Sequence, residues 1–392
     1  MSRRSPIGLS PFPQPSPFLP LRPQLQLQRA TSSPSIQRHQ RQWSSRPLLQ
    51  QRHHYSAAAI SQNEKARSNL NMIDFFDPDL ATSTPHSYTL KYGVSGHAKA
   101  GKVLATDDDW SQDPGIYTSV QVGDDAYFVR SDSLGVSDGV GGANPALYSR
   151  KLMHYAQLEL DRIKSNVRPQ HLPQHLPNPI EIMESAYHLT TLDAQNEGIV
   201  GSTTACIVVL CQDELRVANL GDCGISVIRR NDYIFRSEEQ QHSFNFPYQL
   251  GTASFDSPLD AQQFTIKVEE GDILILASDG LFDNLYDDEI LEEIQSCIEQ
   301  EQSKQLAVAP SESSDSPSSI SPSNLPVQAI SDALAFRAKV VSEDPDNPTS
   351  PFQVRAMHEG LYYQGGKADD ISVLVAVIDR DQKPGPSPPP LP

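Results

Sequence analysis

The chain has 392 residues, enough for one large domain or two ordinary ones. It carries 49 acidic and 31 basic residues, a balance of −18, and the first acid is Glu64; from there on the count is 49 against 23. So acidic a body excludes a nucleic-acid groove, where phosphates would be repelled, and no apolar run approaches the roughly 20 residues of a membrane-spanning helix, so the mature protein is expected to be soluble.

Residues 1–63 hold eight arginines, no lysine and no acid, with abundant Gln, Ser and Pro. That composition predicts a mitochondrial transit peptide, with 64–86 as a linker to the folded part. Ser87–Ser95 reads as the first strand, and Ala126–Arg130 and Leu134–Ser137 as short strands beyond a polar, acidic loop. About Asn144–Ser165 and Ile180–Asn196 have helical spacing and flank a proline-rich connector that contains Gln-His-Leu-Pro twice. Ser202–Cys211 and Glu214–Asn219 predict a hairpin. Ile225–Arg230, Asp232–Arg236, Phe264–Val268 and Ile273–Ala277 follow as strands. Helices are expected over Asp287–Gln302, Val327–Val341 and Phe352–Tyr363, around a Ser/Pro-rich segment, 303–326, read as a disordered insertion. Ile371–Ile378 is a last, strongly apolar strand, and 381–392 is a proline-rich tail. Strands, a helix pair, more strands, then helices and a final strand predict an α+β layered architecture with antiparallel sheets and helices on the outer faces. Cys206, Cys211, Cys223 and Cys297 make no CxxC spacing and read as reduced core residues of a non-secreted protein.

One event recurs: an aspartate at the end of an apolar strand. In Leu134–Gly142 the run ends at Asp138, followed by three glycines in four positions. Ile273–Gly280 repeats the pattern with Asp279, Gly366–Ala376 inverts it with Asp369 and Asp370, and Gly123-Asp124-Asp125 opens another strand. Carboxylates that converge repel one another unless cations neutralise them. Hard divalent ions such as Mg²⁺ or Mn²⁺ favour such oxygen ligands, and a pair of ions can activate a water for in-line attack on phosphorus.

The order and spacing of Gly123–Phe128, Val136–Gly142, Gly201–Ala205, Ala218–Gly224, Leu276–Asn284 and Gly366–Ala376 resemble the PPM (PP2C-type) metal-dependent Ser/Thr protein phosphatases. The resemblance covers about Ser87–Asp379, and Glu239–Gly251 is similar to a segment of the family's mitochondrial branch. It implies a central antiparallel β-sandwich flanked by helices in four layers, over residues 87–380, and two Mn²⁺ or Mg²⁺ ions. By the resemblance Asp138 bridges both ions, the Gly139 carbonyl binds one, and Asp279 and Asp369 complete the second ion's shell. Asp125 acts through metal-bound water, with Asp124 beside it, and Asp370 stands behind Asp369; the expected catalytic set is Asp125, Asp138 and Asp370. The implied substrates are phosphoproteins, including matrix proteins of coenzyme Q biosynthesis.

Two positions depart from the family pattern. Val140 stands where many relatives have a histidine that protonates the leaving group, and valine has no proton to give, so that role falls to water or another residue. Positions 118–122 lack the phosphate-binding arginine usual before the first aspartate, which leaves metal and water or a basic residue from elsewhere, Lys102 or Arg130. His242 is expected to be structural. Two rivals stand beside the phosphatase reading. One is a PP2C-fold binding module with little or no turnover, favoured by Val140 and the missing arginine. The other is a cysteine-dependent phosphatase through Cys223 and Arg229, whose C-x5-R spacing is opposed by an apolar, β-branched spacer that reads as a strand.

Overall fold

Ile273–Ala277 is apolar at every position, and a strand of that kind needs cover on both faces. The computed structural model, which describes residues 88–100, 117–166, 176–308, 321–346 and 349–380, supplies it. These residues all belong to one unit, Asp74–Pro392. The segments read as transit peptide (1–63), linker (64–86) and tail (381–392) lie outside the described residues.

Two antiparallel sheets form the centre. One runs in the order β1 (Tyr88–His97), β16 (Ile371–Arg380), β15 (Ile273–Ala277), β9 (Gly224–Arg229) and β10 (Asp232–Arg236). The other runs β14 (Gln262–Lys267), β8 (Glu214–Leu220), β7 (Ala205–Cys211), β4 (Ser133–Ser137), β3 (Asp125–Val129) and β2 (Val120–Val122).

Side-chain alternation divides each strand between two cores. Leu274 and Leu276 of β15 and Leu374 and Ala376 of β16 meet Leu134, Val136, Val208 and Val217 of the facing sheet. Their neighbours Ile273, Ile275, Val373 and Val375 turn outward, onto Ile290 and Ile294 of α4 (Asp287–Val308) and Ile330 and Leu334 of α5 (Val327–Ser342). On the other side Phe128, Ile207 and Ala218 carry Leu152 and Met153 of α1 (Pro145–Asn166) and Ile182 and Met183 of α2 (Pro179–Glu197). The result is the expected four-layer α+β sandwich. Each fully buried side chain of this size contributes about 1.5–3 kcal/mol. The α2 start is set by Asn178, whose side chain accepts from the Ile180 N–H, and by Pro179 in the first turn; Gly198 ends it in the left-handed conformation.

Several local expectations change. Gly139–Gly142, read as a turn, is a strand, β5, which with β6 (Gly201–Thr203) and β13 (Leu250–Gly251) makes a small separate sheet. Main-chain pairing needs no side chains, so a glycine run can supply it, here with a bulge between Gly139 and Gly141. The helix α4 continues through 303–308 and Pro322–Asn324 forms a turn ahead of the buried Leu325, so the expected insertion narrows to 309–320, which lies outside the described residues. The helix at 352–363 is shorter, α6 (Pro351–His358), because Gly360 ends the run in a left-handed conformation. No helix among the described residues is long and apolar enough to cross a membrane.

Candidate metal centre and active site

Strand pairing carries the aspartates to one end of the sandwich. Asp125 opens β3, Asp138 joins β4 to β5, and Asp222 lies between β8 and β9. Asp279 follows β15 as the first residue of a short helix, α3 (Asp279–Phe282), and Asp369 and Asp370 precede β16. The registers Ala126 to Ser137, Ala277 to Gly224 and Ala277 to Val373 bring these strand ends together.

Asp138, Asp222 and Asp279 form the tightest group: one carboxylate oxygen from each lies within 4.8 Å of the others. Buried carboxylate oxygens are normally hydrogen-bonded. Here Asp125 Oδ1, Asp222 Oδ1 and Asp279 Oδ1 are buried with no hydrogen-bond partner. Burial, and after it the mutual repulsion of the carboxylates, pushes Asp125, Asp138 and Asp222 well above the ordinary carboxylate range. Asp279 and Asp369 are also raised, burial first, against the opposing pull of Lys367. An all-oxygen anionic set whose inner oxygens lack donors fits hard divalent cations.

The supporting contacts are specific. The Asp138 N–H donates to Thr204 Oγ1 at 3.0 Å, while the Asp138 carbonyl accepts from Thr203 Oγ1 at 2.7 Å and the Thr204 N–H at 2.9 Å. This clamp is the structural role of the Gly201–Ala205 segment. Ser278 Oγ donates to Asp125 Oδ2 at 2.7 Å and accepts from the Ser372 N–H at 3.0 Å, which ties three strand ends together. Asn284 holds the backbone of Lys367 on both sides, accepting its N–H at 2.9 Å and donating to its carbonyl at 3.0 Å. The Lys367 ammonium then lies against Asp279, at 2.6 Å from Asp283 and at 3.1 Å from Asp369. Gly280 must be glycine because a Cβ there would sit 2.1 Å from the Asp370 carbonyl oxygen.

The predicted residues are thus sorted by the structure. Asp125, Asp138 and Asp279 stand at the cluster. Gly139 is there too, its N–H donating to the Asp124 carbonyl at 3.2 Å. Asp369 is beside Asp279 but outside the tight triad, joined to it through Lys367. Asp370, expected to be catalytic, holds the backbone: Oδ1 accepts from the Lys99 N–H at 2.7 Å and Oδ2 from the Asp124 N–H at 2.9 Å. It fills the space over Gly123, whose φ of +62° suits only a residue without a side chain at that approach. Arg130 is not at the site. It follows the far end of β3 and pairs with Asp132 and Asp161. Lys102 lies outside the described residues; Lys99 and Lys367 are the described lysines that reach the cluster.

Sequence reasoning missed Asp222, Asp283 and Lys367. Asp222 had a signal, a Gly-Asp-Cys-Gly turn between two strands, of the same kind as the turns that were singled out. The C-x5-R reading fails on geometry: Cys223 is buried at one end of β9, its thiol pushed well up by burial and by Asp138, while Arg229 at the other end is held by Asp272. His242 is held in place, its Nε2 at 3.0 Å from both Asp256 oxygens and its ring stacked on Tyr248.

Comparison with known proteins agrees with this fold. Residues 155–318 match the family model of stage II sporulation protein E. A probable protein phosphatase 2C of Arabidopsis thaliana is 33% identical over 264 residues, 65% of this chain, which spans only about half (54%) of that longer relative. The PTC7 homologue of Homo sapiens is 37% identical over 275 residues, covering 65% of this chain and 79% of the relative, and that of Danio rerio is 36% identical with 81% of it covered. The solved photosystem II phosphatase PBCP superimposes on 74% of this chain and 98% of its own with a TM-score of 0.53 at 28% identity. On this identity and coverage, the chain belongs to the PP2C-type (PPM) protein phosphatase family.

Proposed function

We propose that the chain is a metal-dependent protein serine/threonine phosphatase. The observation that carries this reading is the triad of Asp138, Asp222 and Asp279 with its unpartnered buried oxygens. Two ions, Mn²⁺ or Mg²⁺, held by Asp138, Asp222, Asp279, the Gly139 carbonyl and Asp369, would supply a water activated for attack on the phosphorus of a phosphoserine or phosphothreonine. The chain's own residues set the geometry. Thr203 and Thr204 fix the Asp138 backbone, Ser278 orients Asp125, and Asp370 fixes the turn that carries Asp124 and Asp125. Asp125 can orient the attacking water through its second oxygen. Lys99, whose side chain is 42% exposed and whose Nζ lies 3.9 Å from Asp369, would be the cation that meets an incoming phosphoryl group. Val140 has no proton to give, so the leaving oxygen takes its proton from water or another residue.

The deciding experiment is turnover by the full chain of p-nitrophenyl phosphate and of phosphothreonine peptides, with and without Mn²⁺, and with Asp222→Asn. Metal-dependent turnover that collapses in the variant supports the reading; none, with the metal bound, would leave the PP2C-fold binding module as the better one. The acid-free composition of residues 1–63 supports a mitochondrial destination, and the resemblance suggests matrix phosphoproteins, those of coenzyme Q biosynthesis included, as substrates. Fractionation of cells that express the tagged chain, and phosphoproteomics of mitochondria lacking it, test those two points.

A further inference from the structure

A cavity of about 190 Å³ opens beside β5, outside the carboxylate cluster. Gly141 and Gly142 form one side of it, Ser202 and Gln249 its polar edge, and Phe246 and Phe255 its apolar wall. We propose that this cavity is a specificity subsite that takes an apolar side chain of the phosphoprotein substrate, within about three residues of the phosphorylated one. The proposal rests on the phosphatase reading and names the substrate class that reading leaves open.

Continuity with the reaction centre points to the substrate as occupant. Gly141 is three residues beyond Asp138 on the same chain, and an extended strand advances about 3.3 Å per residue, so the Gly141 edge of the cavity lies within about 10 Å of Asp138 along the backbone. An extended peptide whose phosphate is at the cluster covers that distance in about three residues.

The walls specify the chemistry. Phe255 is 79% exposed and Phe246 is 44% exposed, a large apolar surface to leave in water at two neighbouring positions. Neither is loosely attached. The His242 ring lies 5.1 Å from Phe255, 5.4 Å from Phe246 and 3.9 Å from Tyr248, on which it stacks. Asp256 holds that ring through Nε2 at 3.0 Å and accepts the Gln249 N–H at 2.9 Å. Ser202 Oγ donates to Gln249 Oε1 at 2.6 Å, and Ser254 Oγ donates to the Gln249 carbonyl at 2.5 Å. The one carboxylate on the wall is therefore already engaged by an imidazole and an amide and does not select a basic side chain. A preformed apolar wall of this kind loses little conformational freedom when it is filled.

The test uses the full chain with Mn²⁺ and a set of phosphothreonine peptides. Leucine, lysine or serine is placed in turn at each of three positions on either side of the phosphothreonine. Binding of a fluorescent peptide with a non-hydrolysable phosphonate is measured in parallel. Leucine at one position is expected to raise kcat/KM and tighten phosphonate binding about tenfold over serine, and lysine to give no such gain. In Phe255→Ala and in Phe246→Ala the leucine-over-serine ratio falls toward one. A ratio near one at every position in the wild type, or a preference that both variants retain, would overturn the proposal. So would concentration-dependent dimerisation that Phe255→Ala abolishes, since a second copy would then fill the cavity. The two readings can fail separately. Leucine-selective phosphonate binding without turnover of any phosphate ester would keep the subsite and sink the phosphatase. Turnover without selectivity would do the reverse.

Discussion

Strand β15 is flanked by two buried aspartates that the protein treats in opposite ways. Asp272, before the strand, has 1% of its side chain exposed and is fully matched. Arg229 grips it with Nε and Nη2 at 2.7 Å each, and the Glu269 N–H adds a third bond at 2.8 Å. Asp279, after the strand, is 5% exposed, shares one ammonium with Asp283 and Asp369, and keeps one oxygen without a donor. Strand β3 repeats the contrast, with Asp125 at one end and the Arg130–Asp132 pair beyond the other. Paired charges at one end of the sandwich cost nothing further. At the other end the chain retains an electrostatic penalty that Lys367 offsets only in part and that a bound cation or protons would relieve, which fits a site kept for function rather than for stability.

On that contrast, substitutions at the two ends separate activity from stability. Asp222→Asn or Asp279→Asn is expected to reduce metal-dependent turnover by more than about 100-fold, beyond what changing a merely supporting residue costs. The same variants should leave the melting temperature of the metal-free protein unchanged or raised, because a repelling charge has gone. Arg229→Met should do the opposite, destabilising the protein by about 3 kcal/mol by stranding the Asp272 charge, with kcat near wild type where the fold persists. Paired thermal melts and steady-state kinetics on the three proteins decide it. A stability loss in Asp222→Asn as large as in Arg229→Met would remove the distinction.

The paired end and the framework were far easier to read from sequence than the site. The apolar strands Ile273–Ala277 and Ile371–Ile378 declared themselves because burial on both faces leaves almost no polar position, and the helices at 144–165 and 180–196 because one face is repeatedly apolar. The aspartates that end such runs were legible for the same reason. What stayed hidden depends on convergence in space. Asp222 looks locally like any Gly-Asp turn, and Lys367 looks like a loop lysine until Asn284, 83 residues away, fixes its backbone. Asp370 shared a motif with Asp369, yet a one-residue step sent it to the Lys99 and Asp124 amides instead.

The two ends should also respond to pH with opposite sign. At the carboxylate cluster the folded-state pKa values of Asp125, Asp138 and Asp222 lie above the ordinary 3.8, by burial first and repulsion second. The folded state therefore binds more protons than the unfolded chain, and this contribution to stability is present below about pH 4 and lost as pH rises through the raised values. Asp132 is the reverse case. Partial burial pushes it up, but Arg130 and Lys164 together outweigh that and hold it at about 2, so its contribution is present above about pH 4 and lost as pH falls through about 2. Melts of the metal-free protein across that range should show Asp138→Asn flattening the loss at rising pH, and Arg130→Met lowering stability above about pH 4 while flattening the fall toward pH 2. Mn²⁺ at about 100 times its dissociation constant should restore about 2.7 kcal/mol at neutral pH and progressively less toward pH 4, where protons compete for the same oxygens.

The smallest expected effect concerns Lys99, at the edge of the carboxylate end. It is close to Asp369 but not locked by it: 3.9 Å is a loose ion pair, and the side chain is 42% exposed. A charge held so weakly adds little to folding, so Lys99→Met should shift the melting temperature by no more than a surface substitution does. Its value would lie in meeting the incoming phosphoryl group, where a partly solvated charged hydrogen bond is worth about 1 kcal/mol, or about fivefold in KM. Lys99→Met is then expected to raise KM for p-nitrophenyl phosphate about fivefold with kcat nearly unchanged, and Lys99→Arg to restore most of it. A fall in kcat without a change in KM would move the phosphate-binding role away from Lys99 and onto the cations of the carboxylate cluster alone.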